Sequence, residues 1–181
     1  MSLIEKLSPE FRQRCEAIAT EQRSLLGVRA FEALPAETLA TKLGATLLTP
    51  DQVPSLEAQQ ITLLLNSDQW SAAIICYSPI LIVCNPRHAA TRRESNLMHE
   101  IAHLLLNHQP VGFDYVTGQP KRQQNNEDEA TFLGGCLQIP KRGLLWAIQR
   151  KMFLPQIAAH FGASEAMVQF RSNVTGVSIP C

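Results

Sequence analysis

The segment SNLMHEIAHLLLNH, residues 95–108, constrains the fold of this chain most strongly, because it sets two histidines four residues apart among apolar residues. On an α-helix such residues share one face, so His99 and His103 would point the same way about one turn apart. Glu100 would be rotated aside by about 100°. The segment is therefore either a buried helix that carries two histidines or a metal-binding helix.

The metal-binding interpretation gives each of these three residues a chemical role. Two imidazoles one helical turn apart can hold one zinc ion at about 2.0–2.1 Å. A glutamate beside the first histidine can exchange protons with water and with a leaving nitrogen without being a ligand itself. In a purely structural helix, Glu100 would be an unpaired carboxylate among apolar neighbours, which is costly. We therefore predict a Zn²⁺ site with His99 and His103 as ligands and Glu100 as the catalytic residue.

A catalytic zinc ion usually has a third protein ligand, and the segment NNEDEATFLGGCLQIP offers three consecutive acids at residues 127–129. Small residues follow Glu127 at helical spacing, at positions 130, 131 and 134, and would let this helix approach the histidine helix closely. Glu129 instead shares its face with larger apolar residues, as in a stripe that packs in a core. We favour Glu127 as the third ligand, and Glu129 remains the alternative.

The remaining patterns predict an α+β fold with a small antiparallel sheet. Helical spacing covers residues 9–26, which Ser8 would cap, and a second helix covers residues 35–45. A strand follows at 45–50, and the segments DQWSAAIICYS and PILIVCN predict a hairpin. Two helices separated by Pro140 and two short helices near residue 162 complete the chain. We divide it into a domain of residues 1–150 and a tail of residues 151–181.

Other polar residues near the histidine segment have weaker assignments. The stretch Gln109–Asn126 lacks periodicity and predicts an irregular, functional loop, in which Tyr115 could donate to an oxyanion. Arg92 lies seven residues before His99 and could do the same, although solvent exposure explains this arginine at least as well, and packing is the favoured interpretation of Tyr115. His108 lies off the ligand face, where capping of the helix end is the favoured interpretation.

Charge and composition exclude some classes of function. The chain has 16 Lys and Arg residues against 16 Asp and Glu residues, so it is not an electrostatic nucleic-acid binder as a whole. The first residues lack the pattern of a secretory signal, and no apolar run is long enough to cross a membrane. Five scattered cysteines without a C-x-x-C pair are typical of a reducing compartment. We therefore expect a cytoplasmic protein.

The order of these motifs resembles the ImmA/IrrE family of bacterial and phage zinc metallopeptidases. The resemblance covers about residues 70–175: a strand with an Asn-Pro turn, an Arg-containing approach, the H-E-x-x-H helix and a helix with the pattern E-x-x-A. It implies a zincin-like fold, His99, His103 and Glu127 as zinc ligands, and Glu100 as catalytic acid and base. It also implies a regulatory protease whose substrate is a specific protein, such as a helix-turn-helix repressor.

One position departs from the family pattern. Many members carry an aspartate or asparagine four residues after the ligand glutamate, where it hydrogen-bonds a ligand histidine. This chain has Thr131 there, and a hydroxyl can accept that hydrogen bond without supplying a charge. The substitution predicts a less basic histidine and a less tightly held metal ion.

The tail contains a pattern that is found in DNA-binding proteins. The segment LPQIAAHFGASEAMVQFR has the spacing of a helix-turn-helix, whose second helix can enter the major groove of DNA. Its second helix offers only Arg171 as a base, whereas DNA affinity normally needs several phosphate contacts. Direct nucleic-acid binding is therefore disfavoured, and a DNA-binding module or a non-hydrolytic zinc adaptor remains the alternative to a protease.

Overall fold

The computed structural model describes residues 3–109, 112–114, 119–121 and 123–180 of the chain. Its helices are α1 Leu3–Lys6, α2 Pro9–Leu25, α3 Ala36–Lys42, α4 Ala58–Asn66, α5 Ala90–Leu105, α6 Gln124–Gln138, α7 Lys141–Gln149, α8 Leu154–Phe161 and α9 Glu165–Thr175. Its strands are β1 Thr46–Leu48, β2 Ala72–Tyr77, β3 Ile80–Cys84, β4 Gly112–Asp114 and β5 Gln119–Lys121. The predicted mixture of helices with a small sheet is confirmed.

Helix α2 begins where the sequence predicts. The Ser8 hydroxyl accepts a hydrogen bond from the backbone N–H of Phe11 at 3.1 Å and so satisfies one of the free donors of the first turn. Cys15 and Ala19, one turn apart, are fully buried on the inner face of the helix. The predicted N-cap and apolar face are both confirmed.

Arg23, on the same inner face of α2, joins this helix to the end of α6. Its guanidinium donates to the carbonyl oxygens of Leu137 and Gln138 at 2.9 and 3.0 Å. The last carbonyls of a helix have no partner within the helix, and cations are favourable near that end. Arg23 therefore caps α6 from another element and fixes the position of its far end.

The main sheet is mixed, so the expectation of a purely antiparallel sheet is wrong. Strands β2 and β3 form the predicted antiparallel hairpin, but β1 pairs with β3 in parallel in the order β1-β3-β2. A parallel pair needs a crossover between its strands. The chain provides one, because α4 and then β2 intervene between β1 and β3.

Some regular segments, among them α4 and the ribbon of β4 and β5, lie where the sequence predicts none. Helix α4 begins after Glu57, whose backbone N–H donates to the Gln60 side chain at 2.8 Å. Strands β4 and β5 form an antiparallel ribbon within the stretch that we expected to be irregular. Tyr115 lies outside the described residues, so its role stays a prediction.

Helices α5 and α6 contribute to a core that also takes side chains from α2, α3 and the sheet. Met98, Ile101 and Leu133 are among its fully buried members. None of the helices in the described ranges combines the length and apolarity needed to cross a bilayer.

A second apolar cluster runs from Ile139 to Val168 and joins α7, α8 and α9. Helix α8 ends at Gly162, whose φ of 62° suits a residue without a side chain, and Ser164 caps α9 through the N–H of Met167. Since α7 shares this cluster with the last two helices, packing links the segments on either side of residue 150. The division at that residue and the helix-turn-helix assignment stay predictions.

Candidate metal centre

Helix α5 presents His99 and His103 on one face, as their spacing predicts. The two Nε2 atoms lie 3.1 Å apart, and the ring centroids are separated by 4.8 Å. The His103 side chain is fully buried, whereas about a quarter of the His99 side chain is exposed. One histidine is thus enclosed by the core and the other borders the solvent.

Helix α6 adds Glu127 from its first turn. Its Oε2 atom lies 3.1 Å from Nε2 of His99, and its Oε1 atom lies 3.4 Å from Nε2 of His103. These three residues each offer a ligand atom within 4.8 Å of the other two. Burial alone would raise the pKa of Glu127, but hydrogen bonds to His103 and His99, together with their charge, hold it well below its ordinary value.

A glycine sets the distance between the two helices. A Cβ atom on Gly134 would come within 3.2 Å of the Cα and N atoms of His99, closer than nine in ten real Cβ contacts. The backbone of α6 therefore approaches the backbone of α5 at the level of the first histidine. The predicted close approach through small residues is confirmed at this position.

Glu100 is nearly buried, with 6% of its surface exposed. Its Oε2 atom accepts a hydrogen bond from the backbone N–H of Ile74 at 3.1 Å. Strand β2 thereby holds the carboxylate that the sequence marks as acid and base.

The alternative ligand Glu129 has a different partner. Its Oε2 atom lies 3.0 Å from Nε2 of His108, and Nδ1 of His108 lies 3.0 Å from Nδ1 of His103. The carboxylate of Glu129 thus contacts the site through an imidazole, while that of Glu127 contacts both candidate ligands directly.

The contact with His108 is one that sequence reasoning missed, because a residue five positions after His103 falls off the ligand face of a continuous helix. The chain reverses at Asn107, which has a φ of 55°, and the N–H of His108 donates to the carbonyl of His103 at 2.9 Å. This arrangement is a Schellman turn, and asparagine tolerates the left-handed position it needs. In the sequence, the signal for this turn was an asparagine, Asn107, directly before His108 at the end of the helix.

The remaining candidates lie at the margin of the site or away from it. The Thr131 hydroxyl lies 3.4 Å from Nδ1 of His99, on the ring edge that the sequence predicts. Arg92 is exposed, and its guanidinium donates to the backbone carbonyl of Asp68. His88 binds Ser71, and His160 binds the Phe31 carbonyl at 2.6 Å, so both have local structural roles.

The donor set fits a zinc ion. Two imidazole nitrogens and one carboxylate oxygen form a combination that catalytic zinc sites use, with a fourth position open to water or substrate. The first two donors come from one helix and the third from a helix packed directly against it, so the backbone fixes their convergence.

Comparison with known proteins identifies a family. The model of a family described as Peptidase_M78, IrrE N-terminal-like domain, matches residues 55–173. A comparison with curated proteins gives no match. The matched residues begin before α4 and end within α9, and they include His99, His103 and Glu127.

Proposed function

The chain belongs to the ImmA/IrrE family, whose IrrE N-terminal-like domain is classed as a metallopeptidase, and from this membership we propose that the protein is a zinc-dependent endopeptidase. The observation that carries the proposal is the convergence of His99, His103 and Glu127 within 4.8 Å. In this proposal the three residues hold the metal, and Glu100 is the catalytic residue.

The metal would contribute acidity and polarisation: a bound zinc ion makes water acidic at neutral pH and polarises a carbonyl group. The side chains of the protein would bind the metal ion and position the reacting groups. His103 is fixed by burial, and Glu127 places its carboxylate beside the Nε2 atoms of both histidines. A carboxylate oxygen in this position suits zinc, which takes glutamate oxygens as ligands.

Glu100 would carry the proton during hydrolysis. It accepts a proton from the attacking water and delivers it to the nitrogen of the cleaved peptide bond. Glu100 is therefore an ionised carboxylate both before and after the reaction. The hydrogen bond from Ile74 keeps one carboxylate oxygen in place on β2. Such positioning is needed because proton transfer requires heavy atoms within about 2.6–3.2 Å.

We further propose a specific protein substrate, with a helix-turn-helix repressor as the first candidate, and a cytoplasmic location. Both follow from the family resemblance and the composition. The alternative of a DNA-binding tail is weakened, because Arg171 is fully buried and donates to the Ile139 carbonyl at 2.8 Å. The one base that the second tail helix offered to DNA is therefore engaged inside the fold.

The test compares the wild-type chain with Glu100→Gln. The glutamine can still accept from Ile74, so the fold and metal content should be retained while the rate of proteolysis falls about 10²–10⁴-fold. Expression of each form in cells, followed by quantitative proteomics, should show one or a few proteins that disappear only with the wild type.

Asp128→Asn is a matched control, since it removes a carboxylate from the same turn of α6 whose hydrogen-bond partners are Lys6 and Gln124 instead of the ligand histidines. Persistent cleavage by Glu100→Gln would refute the assigned mechanism. Binding of a DNA probe by both forms without any cleavage would favour the alternative function.

A further inference from the structure

A chain of hydrogen bonds leads from the candidate metal centre into the space between α5 and α6. It runs from Nδ1 of His103 to Nδ1 of His108 at 3.0 Å, and from Nε2 of His108 to Oε2 of Glu129 at 3.0 Å. His103 is fully buried and His108 is 8% exposed, so water competes little for the first link. This series of hydrogen bonds begins at a candidate metal ligand and ends at a carboxylate.

When the imidazole rings of His103 and His108 are both neutral, this series of hydrogen bonds allows a single consistent arrangement of protons. A carboxylate only accepts hydrogen bonds, so the proton between Glu129 and His108 belongs to Nε2 of His108. Nδ1 of His108 then carries a lone pair and accepts from Nδ1–H of His103. That leaves Nε2 of His103 without a proton, facing His99 and Glu127.

The opposite arrangement would disable the site. If His108 carried its proton on Nδ1, His103 would have to carry its own on Nε2 to avoid two facing protons. An Nε2–H group cannot bind a metal ion. The Glu129 carboxylate excludes this arrangement because it requires a donor from His108.

We propose that His108 and Glu129 are positioning residues that hold His103 in the tautomer and orientation needed to bind the metal. The inference rests on the proposed zinc site. It also gives Glu129 a role that the sequence did not suggest: its charge acts on the second ligand histidine through an imidazole. The site therefore has two acidic residues from one helix, with Glu127 as a ligand and Glu129 as its support.

The two ligand histidines are supported unequally. Nδ1 of His99 faces the Thr131 hydroxyl at 3.4 Å, which is long for a hydrogen bond. Nδ1 of His103 faces an imidazole that is itself tied to a carboxylate. The hydrogen bonds that orient the ligand histidines are therefore stronger at the buried His103 than at His99.

Zinc affinity is the first test, measured on the full chain by competition with a chelating indicator. Glu129→Ala and His108→Phe should each weaken zinc binding about 10–100-fold, the usual effect of removing a partner of a ligand histidine. The double variant should bind zinc no more than about threefold more weakly than His108→Phe alone, because Glu129 acts through His108. Asp128→Asn, which removes the neighbouring charge of α6, should bind as the wild type does.

The tautomer itself is the second test, and it needs no metal and no activity. Imidazole ¹⁵N shifts of the metal-free chain at about pH 8.5, above the usual range of histidine titration, should show His103 protonated on Nδ1 and His108 on Nε2. In Glu129→Ala the His108 ring should become a mixture of tautomers. This measurement applies even where His108→Phe folds poorly.

Three results would overturn the proposal: wild-type zinc affinity in Glu129→Ala, independent multiplying effects in the double variant, or His103 protonated on Nε2 in the wild type. Variants that lose stability but not zinc affinity would show a purely structural pair. A wild-type chain that binds no zinc would instead refute the metal centre, and this inference with it.

Discussion

Thr131 is the residue whose replacement should most improve metal binding. Its hydroxyl lies 3.4 Å from Nδ1 of His99, so the existing hydrogen bond is weak. An aspartate would bring a charged acceptor, and charge-assisted hydrogen bonds are shorter and about twice as strong. Thr131→Asp is expected to raise zinc affinity by about tenfold in a chelator competition assay.

Thr131→Val serves as its control because it keeps the branched shape and removes the polar atom. Since the present contact is long, the valine should change zinc affinity by less than about threefold. A tenfold loss with valine would show that the threonine hydroxyl already holds His99 firmly.

Cys15 should make the stability of the fold fall at alkaline pH. Burial, with smaller contributions from the charges of Glu129 and Glu16, raises the pKa of this thiol to about 12. The folded chain then keeps a proton that the unfolded chain loses near pH 9, so this contribution to stability is complete below pH 9 and declines as the pH rises toward 12. Above about pH 9.5, the free energy of unfolding should fall by about 1.4 kcal/mol per pH unit from this thiol alone.

The measurement is urea unfolding of the wild type and of Cys15→Ala between pH 9 and 11. The alanine variant should be less stable at pH 8 because it leaves a small cavity, but its stability should decline less steeply with pH. Parallel pH profiles for the two proteins would contradict the assignment.

At the scale of elements, the contact between α5 and α6 can be tested through two adjacent glycines. A Cβ on Gly134 would press on the backbone of His99, whereas a Cβ on Gly135 would press on the side chains of Phe170 and Arg171. Each alanine variant should lose about 1–3 kcal/mol of unfolding free energy from overpacking. Only Gly134→Ala should also weaken zinc binding, because it moves α6, and Glu127 with it, away from the histidines.

Unfolding curves and zinc affinities of both variants decide this point. Gly135→Ala is the control for general overpacking, as it lies one residue further along the same helix. Equal losses of zinc affinity in the two variants would mean that the spacing of the helices at Gly134 does not govern the site.

The elements that the sequence predicted well are those whose signals are local. Ser8 caps α2, Gly162 ends α8, and the hairpin of β2 and β3 follows from two apolar segments joined by a short turn. The parallel pairing of β1 with β3 and the ribbon of β4 and β5 were missed because each depends on contacts between segments distant in sequence or on short strands with weak patterns. Helix α4 has no fully buried residue and so carries little of the pattern that marks a packed helix.

In the candidate site, too, some features have local sequence signals and others depend on contacts between distant segments. The i, i+4 spacing of His99 and His103 and the small residues after Glu127 favoured the three side chains that lie within 4.8 Å of one another. The contact of Glu129 with His108 was hidden, because it requires both the chain reversal at Asn107 and the packing of α6 on α5. Sequence spacing reports neighbours on one helix, and the partners of those neighbours are set by tertiary structure.

For the whole molecule, the two apolar clusters should unfold as one unit because Glu16 of α2 connects them. Its carboxylate pairs with the buried guanidinium of Arg171 on α9 and accepts from the N–H of Lys141, at the start of α7, at 3.0 Å. Arg171 also donates to the Ile139 carbonyl, between α6 and α7. Separation of the tail from the rest would break both the ion pair of Arg171 with Glu16 and its hydrogen bond to Ile139, and hydrogen bonds to charged groups each contribute about 1.5–3 kcal/mol.

This connection predicts a single cooperative transition, which can be followed with one fluorescent probe. The chain has two tryptophans, and Trp70→Phe leaves only Trp146 on α7. Urea unfolding followed by Trp146 fluorescence should coincide with unfolding followed by far-UV circular dichroism, which reports all helices. Adding Glu16→Gln should lower the unfolding free energy by about 1.5–3 kcal/mol and move both curves together. A Trp146 transition that precedes the loss of helix signal, in either protein, would show that α7–α9 unfold separately, with a boundary near residue 140 instead of residue 150.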